Sequence, residues 1–79
     1  MLNEPRTNRL RELQKLLAIG PTDVLARCDV ASLLEELGQY EEALSNWKAV
    51  VASDPTNLKA WEGTKRCRNR IRRSPQSQI

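Results

Sequence analysis

Apolar residues recur every three or four positions in four segments of the chain, the spacing that puts side chains on one face of an α-helix. The segments span residues 5–19, 22–37, 39–53 and 56–73. Proline or glycine bounds each segment, and both residues interrupt helices. The pattern predicts an all-α chain of about four helices over residues 1–73, followed by a disordered tail over 74–79.

The segments differ in how their apolar residues are arranged. The first carries a single stripe of leucines, Leu10, Leu13, Leu16 and Leu17. The third is the most clearly amphipathic, and the fourth has thinner apolar content with Gly63 inside it. The second is apolar on two sides, and its helix is therefore expected to lie between two neighbours.

Part of the sequence repeats at a fixed offset. Residues 21–26 (PTDVLA) match residues 55–60 (PTNLKA). At the same offset, Leu13, Leu16 and Leu17 fall on Trp47, Val50 and Val51. Two matches with one period, in different predicted helices, indicate a repeating helical hairpin.

The offset equals the length of the tetratricopeptide repeat, about 34 positions. Residues 24–57 resemble one full unit of this family, and residues 38–43 (GQYEEA) are similar to its turn between two helices. The resemblance implies a fragment of a right-handed α-solenoid in which antiparallel helices meet at Ala31 and Ala43. It assigns hairpin packing to Ala31, Leu34, Gly38, Tyr40, Ala43, Trp47, Pro55 and Trp61.

By the same resemblance, residues 5–19 are the second helix of a degenerate repeat, residues 22–53 a full hairpin, and residues 56–73 a capping helix. Two residues depart from the family pattern. Arg27 stands where an aromatic residue is usual, and Lys65 stands where a small residue is expected. Lys65 indicates that the last helix has no partner helix of its own and acts as a solvated cap.

The family binds extended peptides or helices in a concave groove lined by the first helix of each hairpin. Carried onto this sequence, the groove consists of Leu25, Cys28, Asp29, Ser32, Glu36, Lys59, Glu62, Arg66, Asn69 and Arg70. Some members bind a chaperone's carboxylate with Lys and Asn. Cys28 and Ser32 stand at those places here, so that clamp is not expected. For any one of these residues, a solvated helix face is the alternative interpretation.

The leucine stripe suggests a second contact surface. Because no hairpin partner precedes the first helix, some of Leu10, Leu13, Leu16 and Leu17 are expected to be exposed. Each large apolar side chain left in water costs roughly 1.5–3 kcal/mol relative to burial. The stripe predicts a homodimer or a docked partner helix. An alternative is that the chain is a fragment of a longer repeat protein.

Charge is unevenly distributed along the chain. Residues 23–62 carry eight acids and three bases, whereas residues 65–73 carry six bases and no acid. This basic run has three interpretations: a solvated helix end, a contact for an acidic protein, or an anchor to nucleic acid or an anionic membrane. Because no aromatic residue is interleaved for base stacking, nucleic acid and membrane rank behind a protein partner.

Residues typical of catalytic or metal sites are scarce. The chain has no histidine, no Gly-rich phosphate loop and no Ser nucleophile motif. Cys28 and Cys67 have no nearby metal-ligand partners and are interpreted as free structural thiols, which fits a reducing compartment. The sequence therefore predicts a cytoplasmic adaptor or scaffold that binds a protein or peptide, with no cofactor, no metal and no enzymatic activity.

Overall fold

Four α-helices make up most of residues 4–73, the part of the chain that this computed structural model describes. They are α1 (Pro5–Ile19), α2 (Val24–Glu36), α3 (Tyr40–Ser53) and α4 (Leu58–Arg72), and this range contains no strand. The prediction of an all-α fold is confirmed. Residues 1–3 and the predicted tail over 74–79 lie outside the described residues.

Three helices begin at side chains that cap N–H groups of their first turn, Glu4 for α1, Asp23 for α2 and Asn57 for α4. Asp23 accepts a hydrogen bond from the N–H of Ala26 at 3.0 Å, and Asn57 accepts one from the N–H of Ala60 at 3.0 Å. A capping residue has a non-helical backbone, so α2 and α4 each begin two residues later than predicted. The caps of α2 and α4 are separated by the same offset as the matching segments, so the repeat in the sequence recurs as a structural contact.

The turn between α2 and α3 depends on glycine. Gly38 has a φ of 80°, in the left-handed region that side chains with a Cβ atom disfavour. Its N–H donates to the Glu35 carbonyl at 3.0 Å, and the N–H of Gln39 donates to the Leu34 carbonyl at 2.8 Å. This Schellman motif satisfies the last carbonyls of α2 and reverses the chain, so that α2 and α3 form an antiparallel hairpin.

The core lies between the packed faces of successive helices. As expected from its two apolar sides, α2 packs on both α1 and α3, and α3 also packs on α4. Ala31 and Ala43 are both fully buried, where small side chains allow α2 and α3 to approach closely. The largest fully buried side chain is Trp47. The other core residues are Leu13, Ala26, Cys28, Val30, Leu34, Val50, Ala60 and Cys67.

Arg27 and Trp61 occupy equivalent positions of the repeat and make the same contact with different chemistry. The Arg27 guanidinium donates to the Pro21 carbonyl at 3.2 Å, and the Trp61 indole N–H donates to the Pro55 carbonyl at 2.7 Å. Arg27 also donates to Oδ1 of Asn46 at 3.0 Å, which joins α2 to α3. Arg27 therefore keeps the contact with the preceding turn that Trp61 makes, and adds a bond to α3.

The antiparallel order of the helices places their ends at two opposite ends of the molecule. Turns 20–23 and 54–57 lie at one end, called here the proline end; turn 37–39 and the C-terminus of α4 lie at the other, the glycine end. At the proline end, Nδ2 of Asn57 lies 4.0 Å from Sγ of Cys28. The large apolar side chains exposed within residues 4–73 all lie toward the proline end: Leu16, Ile19, Leu25, Leu58 and Trp61.

Candidate binding groove

An open concavity of about 500 Å³ lies between α2 and α4 toward the glycine end, and it is called here the groove. Its lining consists of Ser32, Glu35 and Glu36 from α2, Tyr40 from α3, and Arg66, Asn69 and Arg70 from α4. Ligand sites in proteins usually have volumes of roughly 300–1,000 Å³, so the groove has room for a short stretch of a ligand chain. All seven lining residues have polar or charged side chains, and both signs of charge are present.

Glu35 joins three helices at the groove. Its carboxylate accepts hydrogen bonds from Arg66 at 2.7 Å and 3.0 Å and one from the indole N–H of Trp47 at 3.0 Å. Burial acts to raise the pKa of Glu35, but the hydrogen bonds from Arg66 and Trp47 outweigh it and hold the pKa below its ordinary value. A charged Glu35 therefore fixes Arg66 in a forked geometry, which is among the stronger hydrogen-bonding arrangements.

Arg70 and Glu36 stand on opposite walls of the groove with their charges unpaired. The Arg70 guanidinium lies 5.0 Å from the centroid of the Tyr40 ring, a cation–π contact that orients it. Neither Arg70 nor Glu36 forms an ion pair with any residue in the range 4–73. The groove thus contains one mutually neutralised pair, Arg66 with Glu35, and two opposite charges available to a ligand.

Five of the ten residues predicted for the groove line it. They are Ser32, Glu36, Arg66, Asn69 and Arg70. Leu25, Asp29, Lys59 and Glu62 are exposed but lie outside this lining. Cys28 is only 4% exposed, because α2 turns it into the core and the capping residue Asn57 lies beside its sulfur. Cys28 is therefore a core residue and does not face a ligand.

Two residues of the groove, Glu35 and Tyr40, are not predicted for it by the sequence. Glu35 is followed by Glu36, so the pair resembles a solvated acidic stretch, and its partners lie 12 and 31 residues away. Tyr40 is predicted for hairpin packing; it is half-buried against the core, and its ring also supports Arg70. Arg66 is 31 positions from Glu35, which differs from the offset of the matching segments, so no spacing in the sequence marks this pair.

The leucine stripe of α1 is largely covered within the monomer. Leu13 is 4% exposed, and Leu10 and Leu17 are half-buried against the core, because α2 packs on this side of α1. Leu16 is 54% exposed. Burial of Leu13 removes it from the predicted self-association stripe, and Leu16 is the stripe residue that is open to a partner.

The residues assigned to hairpin packing occupy three kinds of position. Ala31, Leu34, Ala43 and Trp47 are buried, and Gly38 forms the left-handed turn. Pro55 is exposed and contributes its carbonyl to Trp61. Trp61 is 46% exposed, because it lies along the turn before α4 and no helix in the described range covers it. Trp61 therefore supports a turn and is not a core residue.

Both cysteines are free and buried. Burial, with a smaller contribution from the nearby Glu35 charge, raises the pKa of Cys67 to about 11, although Arg66 acts in the opposite direction. Burial also raises the pKa of Cys28. Since the thiolate is the reactive form, both side chains are unreactive structural thiols at neutral pH.

The basic run on α4 is divided between the groove and the outer surface. Arg66 and Arg70 line the groove, whereas Lys65, Arg68, Arg72 and Arg73 are exposed outside it. Arg72 donates to Oδ1 of Asn69 at 2.6 Å and so supports one groove residue from behind. The outer bases form a second charged surface of the molecule.

Two kinds of feature are absent from residues 4–73. No group of three or more His, Cys, Asp or Glu side chains is arranged to hold a metal ion there. No helix in this range combines the length and apolar character needed to cross a membrane.

In comparisons with known proteins, no family model, no curated protein and no solved structure matches the chain.

Proposed function

We propose that this chain is a protein-interaction adaptor that holds a short segment of another protein in the groove. The observation that carries the proposal is the preformed polar lining between α2 and α4. Arg66 is already held by Glu35, and Arg70 is already oriented on Tyr40. Side chains ordered in advance lose little conformational entropy on binding, which favours affinity.

The neutral residues of the groove suit the main chain of an extended peptide. Such a peptide brings unpaired N–H and C=O groups that need partners when they leave water. Ser32 offers a hydroxyl that donates and accepts, and Asn69 offers an amide NH₂ that donates, since its Oδ1 already accepts from Arg72. Because these two residues lie on α2 and α4 respectively, a peptide between the helices has polar partners on both sides.

We further propose that the hairpins are of the tetratricopeptide type. Two contacts that recur at the repeat offset support this: the caps formed by Asp23 and Asn57, and the bonds from Arg27 and Trp61 to the preceding turns. In such repeats, stacked units present an extended concave surface to their partners. A longer repeat protein that contains this piece would continue the same groove.

Binding without catalysis is part of the proposal. The half-buried acid of the groove, Glu35, has a lowered pKa, and Arg66 has a raised pKa, so both stay charged and neither is a base poised near neutral pH. Both thiols stay protonated. Free buried cysteines also fit a reducing compartment, and we propose the cytoplasm as the location.

Capture of partners from a cell lysate tests the proposed function. The tagged wild-type chain is compared with Ser32→Tyr, which fills the groove, and with Lys48→Glu, which alters an exposed residue outside its lining. We expect mass spectrometry to identify a partner that the wild type and K48E retain and S32Y loses. A set of partners that S32Y captures unchanged, with its helicity intact by circular dichroism, would contradict the proposal.

A second candidate function rests on the outer bases of α4. Lys65, Arg68, Arg72 and Arg73 are exposed and form no ion pair within the described range, as suits an anchor to an anionic polymer or surface. The large apolar side chains exposed within residues 4–73 lie toward the proline end, whereas Arg68, Arg72 and Arg73 lie toward the glycine end, which favours nucleic acid over insertion into a membrane. Loss of oligonucleotide binding in Arg68→Glu/Arg72→Glu would support this candidate.

A further inference from the structure

The charges of the groove indicate the chemistry of the segment that it holds, and this inference rests on the proposed function. Glu35 and Arg66 neutralise each other, whereas Glu36 on α2 and Arg70 on α4 have no ion-pair partner within residues 4–73. We infer that the bound segment is an extended peptide in which an acidic residue adjoins a basic one. The acidic side chain contacts Arg70, and the basic side chain contacts Glu36.

The acidic and basic residues are adjacent in the bound segment because of the geometry of extended chains. Successive side chains of an extended peptide point to opposite sides. A peptide that runs between α2 and α4 therefore directs one residue to the wall with Glu36 and the next to the wall with Arg70. Its main chain then lies over Ser32 and Asn69, which offer the hydrogen-bonding groups that the backbone needs.

Ligands with one sign of charge fit the groove less well. A uniformly acidic peptide places a carboxylate against Glu36, and a uniformly basic peptide places a cation against Arg70; like charges at such distances are repulsive. The phosphates of a nucleic acid strand meet the same obstacle at Glu36. Arg66 does not change this balance, because both oxygens of Glu35 already accept its hydrogen bonds. The pair of opposite charges therefore favours a mixed sequence.

Selection from a phage-displayed library of random linear peptides tests the inference. The enriched peptides are synthesised, and their binding to the purified chain is measured by fluorescence polarisation. Variants Arg70→Glu and Glu36→Lys change one wall each, Ser32→Tyr fills the groove, and Lys48→Glu is the control. We expect the enriched peptides to carry an acid next to a base. Each single charge reversal should weaken them roughly three- to tenfold, as partly exposed ion pairs do.

The double variant Glu36→Lys/Arg70→Glu exchanges the two charges of the groove. A gain of binding in this variant could not result from simple damage to the groove. The double variant is expected to bind peptides with the acid and base exchanged more tightly than the original peptides. Enriched peptides that S32Y excludes, but that lack the charge pair and ignore both reversals, overturn the inference and leave the proposed function standing. If no enriched peptide depends on Ser32, both fail. Binding of a random oligonucleotide that requires Arg70 also overturns the inference.

Discussion

Gly63 of α4 lies directly against the indole ring of Trp47 on α3. A Cβ atom at Gly63 would lie 2.5 Å from Nε1 and 2.6 Å from Cδ2 of that ring, so any side chain here requires the indole to move. The absence of a side chain at Gly63 therefore allows α4 to approach α3 at Trp47, the largest fully buried side chain. The indole N–H of Trp47 donates to the Glu35 carboxylate, and so connects the core to the groove.

Gly63→Ala is expected to lower the free energy of unfolding by about 1–3 kcal/mol. Alanine gains up to about 1 kcal/mol in helix propensity, but overpacking against a rigid buried ring outweighs that gain. Denaturant unfolding followed by circular dichroism measures the change. Gly20→Ala is the matched control, since its nearest atom would be 3.9 Å away and a change within about 0.5 kcal/mol is expected. Equal stability of G63A and the wild type would show that the contact is absent.

Glu35 is expected to contribute to the loss of stability in acid. Its pKa in the folded chain lies below the ordinary value of 4.5, so its contribution is fully present above about pH 4.5 and is lost as the pH falls through the lower folded value. Glu35→Gln should cost about 0.5–1.5 kcal/mol at pH 7 and flatten the decline below pH 4.5. Denaturant unfolding between pH 7 and about pH 3 tests this. Glu36→Gln is the control, and declines of equal steepness in E35Q and the wild type would contradict the assignment.

The two cysteines are expected to resist modification while the chain is folded. Burial raises the pKa of Cys28, and it raises that of Cys67 to about 11, so little thiolate forms at pH 8 and reagents have little access. Iodoacetamide labelling followed by mass spectrometry should modify both residues in denaturant and neither in buffer over the same period. Rapid labelling of Cys67 in the folded chain would mean that the α3–α4 contact opens readily.

The leucines of α1 are expected to separate into a core residue and a surface residue. Leu13→Ala should lower the free energy of unfolding by about 2–5 kcal/mol, because it leaves a cavity beneath α2. Leu16→Ala should change it by less than about 1 kcal/mol, since that side chain is 54% exposed. Because Leu16 is the stripe residue open to a partner, the self-association predicted from the stripe depends on it. Light scattering should therefore show that L16A weakens self-association while the chain stays folded. A wild-type chain that stays monomeric at high micromolar concentration would contradict self-association.

The helices could be predicted from the sequence because their determinants are local. Apolar spacing, the prolines and Gly38 define each segment within a few positions, and the remaining error lies at caps such as Asp23. The packing of α2 on α3 could also be predicted, and the two small residues expected there, Ala31 and Ala43, are both fully buried. These features depend on residues within about one turn of each other or on a short hairpin connection.

The groove could be predicted only in part because its geometry depends on how distant helices rotate against each other. Cys28 lies on the same face of α2 as Ser32 and Glu36. In the packed structure Cys28 is buried in the core, whereas Ser32 and Glu36 line the groove. Glu35 looks like a solvated acid until α4 brings Arg66 to it from 31 positions away. Such pairings depend on how the helices pack, and the periodicity of residues along one helix does not predict them.

The most direct test of the central claim is to map the contact surface by ¹H–¹⁵N NMR during titration with a peptide or partner fragment. Binding in the groove predicts that the largest shift changes fall on Ser32, Tyr40, Asn69 and Arg70, while Leu25 and Leu58 at the proline end change little. Changes confined to the proline end, or to Arg68 and Arg72 on the outer face of α4, would contradict the claim that the space between α2 and α4 is the binding surface.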